Sequence, residues 1–162
     1  MKLGSLLLCV AIAVPAQAQT DRVTSPVLDA SGTFFALSVA NLDSSATWYA
    51  DKLGLTVVMR VPRTGETRSA MALLQGGGLT VELVQHDDAV PLRNFIPAPR
   101  GSLYVHGVFK VGVTVNNFDD VIATLRSRGV SIPIGPFPKR PDQPANAIIL
   151  DNAGNYIHIF GK

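Results

Sequence analysis

Three side chains able to do chemistry stand inside three aliphatic stretches. They are Glu82 in Leu79-Thr-Val-Glu-Leu-Val-Gln85, Lys110 in Lys110-Val-Gly-Val-Thr-Val115 and His158 in Tyr156-Ile-His-Ile-Phe160. Each stretch alternates with a period of two, the signature of a half-buried strand, so the aliphatic residues take one face and the polar group the other. If the three strands belong to one curved sheet with helices on its outer side, a carboxylate, an ammonium and an imidazole converge in the concavity. Such a set can serve as acid, base or partial metal shell. Two plainer readings stay open: exposed groups on the wet face of an antiparallel sheet, or a buried ion pair without chemistry. Phe34, Tyr156 and Phe160 fall on the same face and would give the concavity an aromatic lining, or else are ordinary sheet packing.

The elements that must position these groups repeat. Thr33–Ala40 reads as a strand, Ser44–Leu53 as a helix capped by Asp43 and ended by Gly54, and Leu55–Val61, Ser69–Gln75 and Leu79–Gln85 as three more strands. Gly107–Val115, the helix Asp119–Arg128 capped by Asp119 or Asp120, Val130–Ile132, Ala147–Leu150 and Tyr156–Phe160 say the same again. Val39 and Val115 mark an offset of 115 − 39 = 76 residues. Neither half buries its aliphatic face alone, so pairing the halves is expected. The fold class is α+β, with two βαβββ modules forming a concave mixed sheet with helices on the outer face. Module one spans 33–87, a Pro-rich linker 88–106 and module two 107–161, so that 33–161 is a single domain. Pro133–Pro144 carries five prolines and reads as a loop. With Lys139 and Arg140 at its tip, it either covers the cavity mouth or is only a long surface loop.

Composition bounds the rest. The chain has 162 residues, 47% hydrophobic and 16% charged, which suits a globular protein and excludes a disordered one. Residues 1–18 read as a signal peptide, with Lys2, the apolar run Leu6–Val14 and small residues at Pro15-Ala-Gln-Ala18. Residues 19–32 read as an irregular segment. An uncleaved anchor is the alternative, but a membrane span takes about 20 apolar residues. Loss of Lys2 takes the formal charge from +2 to +1, which is no footprint for nucleic acid. Cys9 is the single cysteine and lies in the signal, so the mature chain has neither disulfide nor reactive thiol. The expectation is a periplasmic or secreted protein with no stable membrane insertion once the signal is removed.

Phe35-Ala-Leu-Ser-Val-Ala-Asn-Leu-Asp-Ser-Ser-Ala-Thr-Trp-Tyr-Ala-Asp-Lys-Leu-Gly54, Lys110–Val121 and Asp151-Asn-Ala-Gly-Asn-Tyr-Ile-His-Ile-Phe160 together resemble the vicinal oxygen chelate superfamily, the glyoxalase, bleomycin-resistance and dioxygenase group. The resemblance implies its paired-module fold and a small-molecule ligand, and it allows a homodimer. It also implies a divalent metal (Zn, Fe, Mn or Ni) held from the first, fourth, fifth and eighth strands. Carried onto this chain, those positions are Phe34, Glu82, Lys110 and His158. Phe34 has no donor atom and an ammonium at Lys110 repels a cation, so only Glu82 and His158 remain as metal ligands, fewer than a catalytic site uses. The first expectation is therefore a small-molecule-binding protein with a degenerate metal site and no cofactor. The alternative is a metal-dependent lyase, isomerase or extradiol-dioxygenase-like enzyme using Glu82 and His158, with Lys110 as a third candidate catalytic group.

Overall fold

The repeat seen in the sequence sets the order of the elements. Module one is built from β1 (Phe35–Ser38), α1 (Leu42–Leu53), β2 (Thr56–Val61), β3 (Ser69–Gly76) and β4 (Leu79–His86). Module two is built from β5 (Lys110–Val115), α2 (Phe118–Ser127), β6 (Ser131–Phe137), β7 (Asn146–Leu150) and β8 (Tyr156–Gly161). The computed structural model describes residues 32–95 and 106–162. The signal peptide read over 1–18, nearly all of the 19–32 segment and the middle of the linker lie outside the described residues. No helix among the described residues is long and apolar enough to cross a membrane.

The modules form two four-stranded mixed sheets, ordered β1-β4-β3-β2 and β5-β8-β7-β6. In each, the first strand runs parallel to the last, with Ala36 opposite Glu82 in one and Gly112 opposite His158 in the other. These pairs are again 112 − 36 = 76 and 158 − 82 = 76 residues apart. Glu82 and His158 thus hold the same place in their modules, as do Phe34 and Lys110.

One face of each sheet is apolar and packs on its helix. Val81 and Leu83 of β4, Ala72 and Leu74 of β3, Ile157 and Ile159 of β8, and Ala147 and Ile149 of β7 are buried. They join Leu42, Ala46 and Tyr49 of α1 and Phe118, Ile122 and Leu125 of α2 in one core shared by both modules. Neither sheet could hide that much aliphatic surface alone.

Polar contacts tie the halves together at the helices. The Tyr49 hydroxyl donates to Asp151 Oδ2 at 3.1 Å, and Asn152 Nδ2 donates to Ser45 Oγ at 3.2 Å. Lys52 Nζ donates to the carbonyl of Arg128 at 2.5 Å, and Arg128 Nη1 donates to the carbonyl of Lys52 at 3.0 Å. Lys52 and Arg128 are themselves 76 residues apart, so each helix has its last carbonyls capped by the cation at the matching position of the other.

Several boundaries differ from the sequence reading: β1 spans Phe35–Ser38 rather than Thr33–Ala40, β5 starts at Lys110 rather than Gly107, and three others have a local physical reason. The cap of α1 is Asn41, not Asp43: its side chain accepts from Ser44 N at 2.8 Å, and its extended backbone places it just before the first turn. Asp43 lies inside that turn, where it favours the helix dipole and pairs with Arg60 at 2.8 Å. Helix α2 likewise starts one residue early, at Phe118, with Asn117 preceding it and both Asp119 and Asp120 within its first turn. The third difference is β6, which continues to Phe137 through Pro133 and Pro136, where a loop was expected. It is an outer strand of its sheet, where proline is tolerated, and its pairing with β7 is broken by two register shifts, so the prolines fall in a ladder that is already interrupted.

Candidate functional site

Burial of alternate residues aims the functional groups. Ile157 and Ile159 are anchored in the core, so Tyr156, His158 and Phe160 leave the opposite face of β8. Lys110 opens β5 on that same face, in register with Tyr156. Its Nζ lies 3.0 Å from His158 Nδ1. It also sits 5.3 Å from the ring of Phe109, within cation–π range. The rings of His158 and Phe160 stack with centroids 3.8 Å apart and planes at 33°.

The tautomer of His158 follows from its neighbours. Asn146 Nδ2 donates to the carbonyl of Pro144 at 3.1 Å, which turns Asn146 Oδ1 toward the imidazole, 3.3 Å from Nε2. An amide oxygen only accepts, so Nε2 carries the proton, and Nδ1 offers a lone pair to the Lys110 ammonium. His158 is the neutral imidazole in this arrangement. Burial, and then the charge of Lys110, hold it below its ordinary value of 6.5.

This has a consequence for stability. In the unfolded chain His158 takes up a proton at higher pH than in the folded one. Its contribution is therefore full above about pH 6.5 and is lost as pH falls below that value. Stability measured by urea denaturation is expected to fall more steeply between pH 7 and pH 5 in the natural protein than in His158→Gln. Equal slopes would contradict the assignment.

His158 and Phe160 line a concavity of about 480 Å³. Its remaining walls are Phe137 of β6, Asn146 of β7, and Arg140, Gln143 and Pro144 of the connection between those strands. The 133–144 segment thus supplies the edge of the cavity, half as strand and half as a turn in which Arg140 and Gln143 exchange backbone hydrogen bonds of 2.8 and 3.3 Å.

The other residues singled out in the sequence do not line this concavity. Glu82 is half-buried on the corresponding face of the first sheet, opposite Ala36 and Leu73. Among the described residues it makes no ion pair with Lys110, which bonds His158 instead. Phe34 precedes β1 and is 64% exposed. Tyr156 shares the face of His158 but does not line the concavity. Phe137, Gln143 and Asn146 were missed. Asn146 stands opposite Phe160, but Ala147-Ile-Ile-Leu150 is apolar throughout, so no alternation there pointed to its face. Phe137 was hidden by the prolines.

The residues present do not fit a divalent metal. Both nitrogens of His158 are engaged, one by a cation, and the position equivalent to Lys110 in module one is a phenylalanine. Among the described residues no cluster of three His, Cys, Asp or Glu side chains is placed to hold an ion.

The chain belongs to the Glyoxalase/Bleomycin resistance protein/Dioxygenase superfamily, which its residues 33–159 match. No curated protein matches the sequence. Among solved structures it resembles a glyoxalase family protein from Enterococcus faecalis, at 20% identity over 78% of this chain and 94% of that one, with a TM-score of 0.61. It also resembles the trypanothione-dependent glyoxalase I of Leishmania major, at 18% identity over 79% and 84% of the two chains, with a TM-score of 0.56. An antibiotic-binding protein from Streptomyces sp. CB03234 matches at 19% identity over 82% and 95%, also with a TM-score of 0.56. At such identities the likeness shows the shared fold, and the fold hosts both an enzyme and a binding protein.

Proposed function

We propose that this chain is an exported small-molecule-binding member of the superfamily whose ligand sits on the His158 face of module two without a metal. The observation that carries the reading is the chain Lys110–His158–Asn146 at the wall of the concavity. A neutral imidazole with both nitrogens engaged is a positioned wall, not a free ligand for a cation. The antibiotic-binding relative supports a sequestering role. The pattern over residues 1–18 supports export to the periplasm or the medium, and the superfamily supports pairing of two chains into a homodimer.

Thermal-shift screening of the purified mature protein against a small-molecule library, with Phe160→Ala as control, tests the reading. Ligands that raise the melting temperature of the natural protein and not of the variant are expected. A library without such ligands would contradict it. Light scattering of the same sample reads the oligomer.

A second reading, a lyase, isomerase or dioxygenase-type enzyme, has one observation in its favour. Glu82 is a half-buried carboxylate that, among the described residues, has neither ion pair nor side-chain hydrogen bond, as an available base would be. Turnover of any substrate lost in Glu82→Gln would support it.

A further inference from the structure

We infer that the ligand of module two is a flat aromatic anion, its ring against Phe160 and Phe137 and its carboxylate or phosphate on the guanidinium of Arg140. This rests on the small-molecule reading above and adds the chemistry of what is bound. Charge is the first argument. The side chains lining the concavity include one cation, Arg140, and no carboxylate. Lys110 adds a second positive charge one hydrogen bond behind the imidazole wall. Asp142, at the tip of the same turn as Arg140, does not line the concavity. A cationic ligand would meet repulsion here and a neutral one would leave the guanidinium unused.

The second argument is that Arg140 is available. Arg60, Arg63 and Arg68 are ion-paired and Arg128 caps a helix. Among the described residues Arg140 has no acidic partner, although its backbone is held by the reciprocal bonds to Gln143. A planar guanidinium with a fixed base and no carboxylate suits bidentate capture of a carboxylate or phosphate. The Gln143 amide beside it, also without a side-chain partner among the described residues, offers a further N–H donor.

The third argument is the aromatic wall. The stack of Phe160 on His158 presents a flat surface, and Phe137, 46% exposed on the edge strand, contributes another ring. Ring faces of this kind favour a planar, apolar body. A volume of about 480 Å³ accommodates a ligand of a few fused rings.

Calorimetric titration of the intact mature protein with 2-naphthoate, 2-naphthalenemethanol, 2-naphthylmethylammonium and cyclohexanecarboxylate tests this. The four probes vary charge at constant ring, and ring at constant charge. Naphthoate is expected to bind at least tenfold more tightly than each of the others. Arg140→Gln should weaken naphthoate by roughly tenfold, the loss of a charge-assisted hydrogen bond, while Arg126→Gln on the exposed face of α2 leaves it unchanged. Equal binding of the alcohol or the ammonium overturns the inference and leaves the small-molecule reading standing. Equal binding of cyclohexanecarboxylate removes the aromatic half. Binding of none of the four overturns the inference and leaves the small-molecule reading to the library screen, and an Arg140→Gln variant that binds naphthoate like the natural protein overturns the role of Arg140.

Discussion

Asp151→Ala is expected to destabilise the protein by about 4 kcal/mol, the loss of several hydrogen bonds to one charged group. Asp151 is 6% exposed and accepts four hydrogen bonds. Ala153 N and Asn155 N donate to Oδ1 at 2.9 and 2.8 Å, and the Tyr49 hydroxyl and Asn155 Nδ2 donate to Oδ2 at 3.1 and 2.9 Å. The two backbone donors shape the turn between β7 and β8, and the partly exposed Asn155 amide can turn to water. The Tyr49 hydroxyl cannot, because Tyr49 is fully buried in the shared core. Burial, and then the adjacent carboxylate, push its phenol far above the ordinary range, so it stays a proton donor at any working pH. Tyr49→Phe removes one bond of the four and should cost about 1–2 kcal/mol. The double variant should cost less than the sum, because the two residues share that bond. Urea denaturation of the three variants reads all these values, and a loss below about 1 kcal/mol for Asp151→Ala would show that the turn holds without it.

Ile157→Ala is expected to cost about 3–4 kcal/mol, the range for a large aliphatic side chain removed from a closed core. Ile157 is fully buried, with Val111 opposite it on β5 and Ile149 opposite it on β7. Its neighbour on the other face is His158, so the same substitution loosens the strand that aims the imidazole. The expected signature is a drop in urea midpoint together with a rise of the His158 pKa toward its ordinary value, as burial is the first cause of its depression. A stability loss without any change at His158 would mean that β8 is held by its ladder hydrogen bonds alone.

Strand facing was legible because it depends on local alternation. Ile157 and Ile159 could only go inward, which left His158 and Phe160 outward, and the 76-residue repeat gave the modules their common order. Helix ends were legible to within two residues. Asn41 and Asp43 are both good capping residues, and the choice between them depends on where the chain leaves the sheet. The course of β6 was not legible, because the prolines that exclude a central strand are harmless on an outer one, and sequence does not say which strand is outer. Alternation likewise fixes facing within a strand but not how two sheets are set against each other. Lys110 was therefore a candidate partner of Glu82, whereas parallel pairing of β5 with β8 makes His158 its neighbour.

The state of the His158 ring tests the metal-free binding site most directly. Its ring nitrogens can be read in a ¹⁵N–¹H correlation spectrum of the protein at neutral pH, before and after one equivalent of Zn²⁺. A neutral ring with the proton on Nε2 and an unprotonated Nδ1, unchanged by zinc, is the predicted result. Displacement of those nitrogen signals by zinc, reversed by a chelator and lost in Glu82→Gln, would contradict it.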